Sequence, residues 1–435
     1  MTDELKFSPE QFAERLLALG TRRAAFVYEA GSVRASHPEL AAIARAVQGL
    51  SDFHEHEGVF LEVGRETGAL LGAFVHKTLR GQSAGGVRHW PYDTLRDYLS
   101  DGLRLARGMG RKNALAGLWW GGGKGVIARQ SGPHFMDAEY RRVLYREYGR
   151  FVTSLRGVYV TAEDAGTNAV DMAHVFSSTR FVTCIPPEFG GSGNPSVATA
   201  RGVVCAMEAA IEFLGRGTLA AKRVVVQGAG NVGLPLIGEL VSRGVSSVVA
   251  SDISKAALDA VRSRFAGAPL DLRMVAAGDH SILAEPCDVL APNALGGVLS
   301  RATIPTIRAR VVCGAANNQL ADEEYDDVLL AERGITYVPD FVANRMGIVN
   351  CANEQYGCLP DDPAIECHFD PQNPGSLQAT TRRVLEHAAR EGITPAQAAN
   401  RMADERACVS HPIWGHRGKQ IIRALQAEHW AVSVL

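Results

Sequence analysis

The chain has 435 residues, 46% of them hydrophobic and 21% charged, a length that predicts about two or three domains with room for a packed core. Its 45 basic and 47 acidic residues leave a formal net charge of −2, so no bulk field favours nucleic acid or an anionic membrane surface. Apolar stretches stay short of the about 18 residues of a membrane span, and the polar start MTDELKFSPE predicts no secretory signal. The eight cysteines form no CxxC pair, so we expect a cytoplasmic protein with neither a metal site nor a disulfide framework.

The N-terminal part mixes helical and extended patterns. Residues 1–56 are charge-rich with an Ala-rich patch and predict a helical segment. The runs VFLEV and ALLGAFVHKT alternate as strands do, and the glycine-rich RGQSAGG follows them. Apolar residues at helical spacing predict an amphipathic helix over 93–111 that ends near Gly108 and Gly110. A second helix and the short strand VYVTA (158–162) come next.

From about residue 195 the pattern changes to short apolar runs, several of them rich in valine. These runs are RVVVQ (223–227), SVVAS (247–251), DVLAP (288–292), RVVCG (310–314) and ITYVP (335–339). Helical sequence separates some of them, notably at 232–243, 254–265 and 322–333. Continuous apolar strands that alternate with helices predict a parallel sheet covered on both faces. The Pro-rich stretch 359–376 predicts a loop.

These patterns predict an α/β protein of two domains with a cleft between them. The N-terminal α/β domain spans 1–193, and a Rossmann-type domain with a doubly wound parallel sheet spans 194–345. Residues 346–435 are predicted as C-terminal helices that cross the hinge, with the Pro-rich insert 359–376 among them.

A glycine-rich motif, GAGNVG, follows one of the apolar strands and opens a helix. It consists of Gly228, Ala229, Gly230, Asn231, Val232 and Gly233. Such glycines permit a tight turn and let backbone N–H groups approach a pyrophosphate. Asp252 ends the next strand, where a carboxylate accepts the ribose hydroxyls of NAD and repels the 2′-phosphate of NADP. The alternative is an ordinary turn between a strand and a helix, but that interpretation does not explain an acidic residue at this spacing.

Lysine is scarce, with seven residues against 38 arginines, yet Lys112 and Lys124 lie twelve positions apart. Lys124 follows a stretch that is apolar or glycine from Ala114 to Gly123. Burial and a neighbouring cation both favour the neutral amine, which suits a general base in a way that arginine does not. The alternative is a surface lysine on a glycine-rich turn.

Two further motifs are ambiguous by themselves. Glu163 and Asp164 end the strand VYVTA, where a carboxylate serves equally well as a helix cap. Asn317 and Asn318, in CGAANNQL, either bind a cofactor or substrate or form a turn.

Taken in order, these segments resemble the glutamate/leucine/phenylalanine/valine dehydrogenase family, most closely its leucine and phenylalanine branch. The resemblance covers about residues 58 to 406 in unbroken order. It rests on SAGGVRHWPY, LRLARGMGRKNALAGLWWGGGKGVI, YVTAEDAGT, GSGNPSVATARGV, VVVQGAGNVG, SDIS, LAPNALGG, CGAANNQL, YVPDFVAN and REGITPAQAANRMADER.

The resemblance implies oxidative deamination: an amino acid loses a hydride from Cα to NAD, and water attacks the iminium to give a 2-oxo acid and ammonia. By position, Lys124 matches the family's catalytic lysine and Asp164 its proton-shuttling acid. Lys112 matches the lysine that binds the substrate carboxylate, with Gly85 and Gly86 allowing close approach. The remaining matches are Asn317 and Asn318, near the amino group and nicotinamide, and Thr199, which contacts the nicotinamide. Family members are usually homo-oligomers.

The predicted side-chain pocket favours an apolar amino acid. Glutamate-specific members carry a lysine just before the two glycines, where this chain has Ala84. The other pocket positions are also uncharged: Met109, Ala162, Ile348 and Cys351. An unpaired carboxylate there would cost several kcal/mol. Because Ala84 is small, phenylalanine and tryptophan are as compatible with the predicted pocket as leucine and valine.

The sequence departs from the family at several points that keep alternatives open. Arg345 and Met346 replace small residues, and Arg345 near the pocket would either narrow it or serve an acidic or unusual substrate. Trp119 and Trp120 are core residues or reshape the cleft, and the N-terminal extension and the 359–376 insert have no assigned role. A non-catalytic NAD-binding paralogue is the alternative from another class of function.

Overall fold

The computed structural model describes residues 3–357 and 359–432, and the chain divides into two compact units. The first unit comprises Met1–Asn194, Glu354–Cys358 and Asp404–Leu435, and the second comprises Pro195–Asn353 and Leu359–Ala403. The predicted segment 346–435 is therefore shared between the units. Residues 1–2, 358 and 433–435 lie outside the described residues. Within the described part, no helix is long and apolar enough to cross a bilayer.

The first unit contains a seven-stranded mixed sheet in the order β2-β1-β3-β4-β6-β5-β7. Its strands are β1 (Arg23–Glu29), β2 (Ser32–Ala35), β3 (Gly58–Val63), β4 (Leu70–Val75), β5 (Ser83–Trp90), β6 (Gly121–Ala128) and β7 (Tyr159–Glu163). Strand β5 runs parallel to both β6 and β7, whereas β4 runs antiparallel to β6. The helices of this unit are α1 (Pro9–Ala18), α2 (Ala41–Gln48), α3 (Leu95–Leu115), α4 (Ala138–Ser154), α5 (Ala169–Phe176) and α15 (Arg417–Ala427).

The second unit contains a six-stranded sheet in the order β10-β9-β8-β11-β12-β13, parallel throughout. Its strands are β8 (Arg223–Gln227), β9 (Ser247–Asp252), β10 (Leu270–Met274), β11 (Val289–Pro292), β12 (Val311–Val312) and β13 (Thr336–Tyr337). Its helices are α6 (Ser196–Phe213), α7 (Gly233–Ser242), α8 (Lys255–Arg264), α9 (Asp326–Glu332), α10 (Asp340–Ala343), α12 (Pro363–Glu366) and α13 (Leu377–Glu391). The division between the units falls within α11 (Met346–Glu354) and α14 (Pro395–Ala407).

The strands of the second unit have a hydrophobic core on each face of the sheet. Val224 and Val226 belong to one core cluster, and Val225 between them belongs to the other. Because side chains alternate along a strand, only a run that is apolar at every position satisfies both faces. The predicted parallel sheet covered on both faces is confirmed.

Three sequence-based predictions of local structure are wrong. The segment 1–56 is not only helical, because it also contains β1 and β2. The helix predicted over 93–111 does not end at its glycines but continues to Leu115. The insert 359–376 contains α12 within the predicted loop.

Candidate active site

Glycines of β6 bring the strand that carries Lys124 into close contact with its neighbours. A Cβ added to Gly122 would lie 2.5 Å from the Ala106 carbonyl oxygen and 2.8 Å from Gly110 Cα, both in α3. A Cβ added to Gly123 would lie 2.9 Å from the Tyr159 ring. The glycine-rich sequence therefore forms a strand packed between a helix and a buried tyrosine, not the alternative surface turn.

Lys124 is buried in this strand and forms an ion pair with Asp164. Its residue surface is 4% exposed, and its Nζ lies 2.6 Å from Asp164 Oδ2. Asp164 follows the end of β7, and its backbone N–H donates to Thr167 Oγ1 at 2.9 Å. Burial acts to raise the pKa of Asp164, but the positive charges of Lys124 and Arg88 outweigh it and lower that pKa to about 2. The structure thus brings together two predicted site residues that lie forty positions apart.

Arg88 is a site residue that the sequence analysis did not single out. Its Nε lies 3.3 Å from Asp164 Oδ2, the same oxygen that Lys124 contacts. It stands two positions after Gly86 on β5, next to the strand that carries Lys124. A cation two positions after the second of the predicted substrate-site glycines was the available signal.

The predicted carboxylate-binding lysine, Lys112, lies in the last turn of α3 and is half-buried. The next residue, Asn113, ties this helix end to the sheet: its Nδ2 donates to the carbonyl oxygens of Gly121 at 2.8 Å and Ala84 at 3.3 Å. Lys112 is thereby held beside the start of β5 and β6.

The first unit also brings together three of the predicted pocket residues. Ala84 and Ala162 are buried, and β5 pairs with β7 through Gly86 and Ala162. A Cβ on Gly85 would lie 2.9 Å from Met109 Cγ, and one on Gly86 would lie 2.7 Å from Asp164 Cβ. Uncharged side chains therefore stand close to the Lys124–Asp164 pair.

The two tryptophans that precede the glycines have different environments. Trp120 is buried, whereas Trp119 is 42% exposed and stacks under the Arg80 guanidinium at 4.3 Å. Trp119 also packs against His411. Trp120 is therefore a core residue, and Trp119 forms part of a surface stack.

Arg345 does not present its charge to a substrate. Its side chain is completely buried in the second unit, where Nη1 donates to Thr380 Oγ1 at 3.0 Å and Nη2 donates to the Gly375 carbonyl oxygen at 2.5 Å. Nη2 also lies 3.4 Å from His368 Nδ1. Arg345 therefore fastens the 359–376 insert, and the expectation that it narrows the pocket or serves an acidic side chain is wrong.

The GAGNVG segment of the second unit has the backbone geometry that a dinucleotide needs. Gly228 has φ of +99°, a conformation that favours glycine, and a Cβ on Gly233 would lie 2.1 Å from the Gly228 carbonyl oxygen. A Cβ on Gly230 would meet open space. The turn leads into α7, whose first N–H groups have no capping side chain at Val232. The free space at Gly230 and these N–H groups fit a pyrophosphate.

Asp252 ends β9 beside this turn, with Ala229 N–H donating to its Oδ2 at 2.7 Å and Ser254 N–H to its Oδ1 at 2.8 Å. The predicted turn residues and the acid are thus in direct contact. Asn231 is exposed in the same turn.

The remaining predicted residues of the second unit lie on its loops and on α6 and α11. Asn317 Oδ1 accepts a hydrogen bond from Asn344 Nδ2 at 2.9 Å, and Asn318, with φ of +52°, donates its N–H to Asp340 Oδ2 at 2.6 Å. Thr199 lies on α6, where its hydroxyl donates to the Pro195 carbonyl oxygen. Ile348 and Cys351 are buried on α11. Asn344, which holds Asn317, was missed because its role depends on a contact across 27 positions.

The second unit thus has a Rossmann-type sheet with an open glycine-rich turn, and the first unit contains an ion pair between a buried lysine and a partly exposed carboxylate. The family model for Glutamate/Leucine/Phenylalanine/Valine dehydrogenase matches residues 190–411, and that of the Glu/Leu/Phe/Val dehydrogenase dimerisation domain matches residues 63–181. The chain belongs to the glutamate/leucine/phenylalanine/valine dehydrogenase family, as the sequence predicted.

Individual relatives are similar over most of the chain. A leucine dehydrogenase of Geobacillus stearothermophilus is 39% identical over 356 residues, which cover 81% of this chain and 91% of the relative. A valine dehydrogenase of Streptomyces albus is 41% identical, covering 82% and 93% respectively. Among solved structures, L-tryptophan dehydrogenase from Nostoc punctiforme has a TM-score of 0.67 at 31% identity and covers 84% of this chain and 98% of its own.

Proposed function

We propose that the protein catalyses NAD-dependent oxidative deamination of an apolar L-amino acid to the 2-oxo acid and ammonia. The observation that carries this proposal is the ion pair of the buried Lys124 with Asp164, beside the uncharged Ala84, Met109 and Ala162. The leucine, valine and tryptophan dehydrogenases among its relatives support the apolar substrate class.

The backbone of residues 228–233 would hold the pyrophosphate of NAD, and Asp252 would accept its ribose hydroxyls. When bound, NAD supplies the hydride acceptor for the substrate Cα–H bond. Thr199 and Asn317 are proposed to orient the nicotinamide end.

The residues of the first unit would handle the substrate carboxylate and the protons. Lys112 is proposed to bind the carboxylate with Gly85 and Gly86, whose missing side chains allow close approach. Asp164 would take a proton from the substrate ammonium group, and the neutral form of Lys124 would accept one from the water that attacks the iminium carbon. Asp164 would return its proton to the nitrogen of the resulting carbinolamine, and collapse then breaks the C–N bond, passes the hydroxyl proton to the departing ammonia and leaves the 2-oxo acid. Asn318 is proposed to bind the amino group.

The acidic-substrate alternative has lost its support, because the guanidinium of Arg345 is buried against Thr380 and Gly375. A glutamate side chain beside Ala84, Met109 and Ala162 would leave its carboxylate without a cation from these positions. Such burial costs several kcal/mol. Ile348 and Cys351, in the second unit, are proposed as further apolar contacts to the substrate.

The substrate prediction is tested by measuring NADH formation with leucine, valine, phenylalanine, tryptophan and glutamate in parallel. We expect kcat/KM for the best apolar amino acid to exceed that for glutamate by at least about 100-fold, which corresponds to about 2.7 kcal/mol. Glutamate as the best substrate would contradict the proposal.

The role of Lys124 is tested by Lys124→Met, which keeps the chain length and removes the amine. We expect kcat to fall by about 100-fold or more while NAD still binds, as measured by fluorescence titration, because a general base is lost. Lys255→Met, at an exposed lysine that contacts Asp259, is the matched control and keeps full turnover. Unchanged kcat in Lys124→Met would contradict the role assigned to Lys124, whereas a wild type without turnover would support the non-catalytic alternative.

The match of residues 63–181 to a dimerisation domain supports the prediction of a homo-oligomer. Light scattering on the purified chain tests it, and a monomeric mass would contradict it. The cytoplasmic location stays a prediction from the sequence.

A further inference from the structure

We propose that Arg88 is a positioning residue for this reaction, which keeps the Asp164 carboxylate oriented beside Lys124 and shares its negative charge, so that the Lys124–Asp164 ion pair does not lock Lys124 against proton transfer. The inference rests on the proposed function, because it assigns a role within the same proton transfers.

The first argument is that two cations share one carboxylate oxygen. Lys124 Nζ lies 2.6 Å from Asp164 Oδ2, and Arg88 Nε lies 3.3 Å from the same oxygen. The side chains of Arg88 and Asp164 are each 20% exposed, and that of Lys124 is 5% exposed. In such partial burial each charge acts on the others with little screening by water. Arg88 therefore competes with Lys124 for the negative charge of Asp164.

The second argument is that the Arg88 guanidinium is fixed in place. Its Nη1 donates to both oxygens of Asp101 on α3, at 3.2 and 3.1 Å. Asp101 in turn accepts from the Tyr92 hydroxyl at 2.7 Å and from Arg104 at 2.7 Å. A planar guanidinium can direct separate N–H groups to two carboxylates at once, and the compact ammonium of a lysine has no such fork.

The third argument is electrostatic. The pKa of Asp164 is raised by burial but lowered more strongly by Lys124 and Arg88, to about 2, so the carboxylate stays charged. The other titratable groups that face this network are Tyr92, Tyr159, Glu163 and, behind Arg88, Asp101. Burial raises the pKa of both Tyr92 and Tyr159, so neither hydroxyl ionises near neutrality.

Removal of Arg88 acts on both members of the ion pair. The pKa of Asp164 rises from about 2, because one of its two cations is lost, but it starts well below the pH range of the test. The negative charge of Asp164 then acts on Lys124 alone, which strengthens the ion pair that Lys124 must leave to take part in proton transfer. We therefore expect the rising limb of the pH–rate profile to move upward, although no group that contacts the reacting atoms is removed.

The test compares kcat from pH 6 to 10.5 for the wild type and Arg88→Gln, with NAD and the best apolar amino acid. We expect the rising limb to move up by about one pH unit, so that kcat at a pH below the limb falls about tenfold and recovers on the alkaline plateau. Arg23→Gln removes a guanidinium from a similarly buried pair, with Glu62 at 2.5 Å, on the distant strands β1 and β3. This control should leave the limb in place.

Equal loss of kcat at every pH, or an unmoved limb in folded Arg88→Gln, would overturn the proposal. If Arg88→Gln does not fold, Arg88→Lys replaces it, because it keeps the positive charge but has no fork that reaches both Asp101 and Asp164. Its limb should move in the same direction by a smaller amount, and an unmoved limb would overturn the proposal equally. A wild type without turnover would instead contradict the proposed function, and with it any catalytic role of Arg88.

Discussion

Asp252 is the residue whose charge bears most directly on the choice of cofactor. Backbone N–H groups of Ala229 and Ser254 fix its two oxygens at 2.7 and 2.8 Å. A carboxylate held in this way keeps its remaining lone pairs in one place, where they favour hydroxyl donors and repel a phosphate. The proposed preference for NAD would thus follow from one side chain and two backbone contacts.

Asp252→Ser should weaken the use of NAD and relax the discrimination against NADP. We expect KM for NAD to rise by about tenfold, since hydrogen bonds to a charged acceptor contribute about 1.5–3 kcal/mol, and the NADP/NAD ratio of kcat/KM to rise as well. Steady-state kinetics with both cofactors measure the change. Asp259→Ser, at an exposed acid that contacts Lys255 on α8, should change neither value. An unchanged cofactor ratio in Asp252→Ser would argue against the assigned role.

At the scale of elements, the close approach of α3 to β6 fixes the position of Lys124. Two glycines make this approach possible, because Gly110 of the helix faces Gly122 of the strand with no side chain between them. Gly108, one turn earlier than Lys112 in the same helix, has open space around it. Glycines that look alike in the sequence therefore have different structural roles.

Gly122→Ala and Gly108→Ala should have opposite effects on stability. The added Cβ of Gly122→Ala meets backbone atoms at 2.5 and 2.8 Å, which cannot rotate away, so we expect a loss of about 1–3 kcal/mol. Gly108→Ala, in an exposed helix interior, should gain about 0.5–1 kcal/mol. Urea denaturation of both variants measures the difference. Equal stability of the pair would mean that the helix and strand are not packed as described.

At the scale of the whole molecule, buried histidines tie stability to pH. His56 is 1% exposed; its Nε2 donates to the Leu103 carbonyl oxygen at 2.8 Å, and its Nδ1 accepts the His54 N–H at 3.2 Å. Both nitrogens are thus satisfied only in the neutral ring. Burial lowers the pKa of His56 to about 3 and that of His89 to about 4.

The free energy of unfolding should therefore fall as the pH drops below 6.5. A base whose pKa is lowered by folding stabilises the native state above its unfolded pKa, and this contribution is lost as the pH falls toward the folded pKa. Each such histidine contributes about 1.4 kcal/mol per pH unit between about pH 6 and 4. His56→Gln should reduce the slope by this amount relative to the wild type. An equal slope in His56→Gln and the wild type would contradict the neutral state of His56.

The local sequence pattern was enough to predict those elements whose structure depends mainly on residues close to them in the chain. The valine-rich strands of the second unit and the turn after β8 follow from continuous apolar runs and from glycines at set spacing. The helix end was predicted wrongly at Gly108 and Gly110, because a tertiary contact with Gly122 stabilises a helix that continues past both glycines. The glycine-rich segments of β5 and β6 were not predicted as strands, because their low propensity is overcome by pairing with β4 and β7.

The sequence by itself determined the family, the α/β class, the parallel sheet and which residues are candidates for the chemistry, because these depend on residue types at short spacing. Only the tertiary structure decided how the charges are paired. Lys124, Asp164, Arg88 and Asp101 come from separate elements, and their contacts arise because β5, β6, β7 and α3 pack together. It also turned Arg345 from a candidate substrate ligand into an anchor of the insert. Electrostatic interactions depend on distance and burial in space, and neither can be obtained from spacing along the chain.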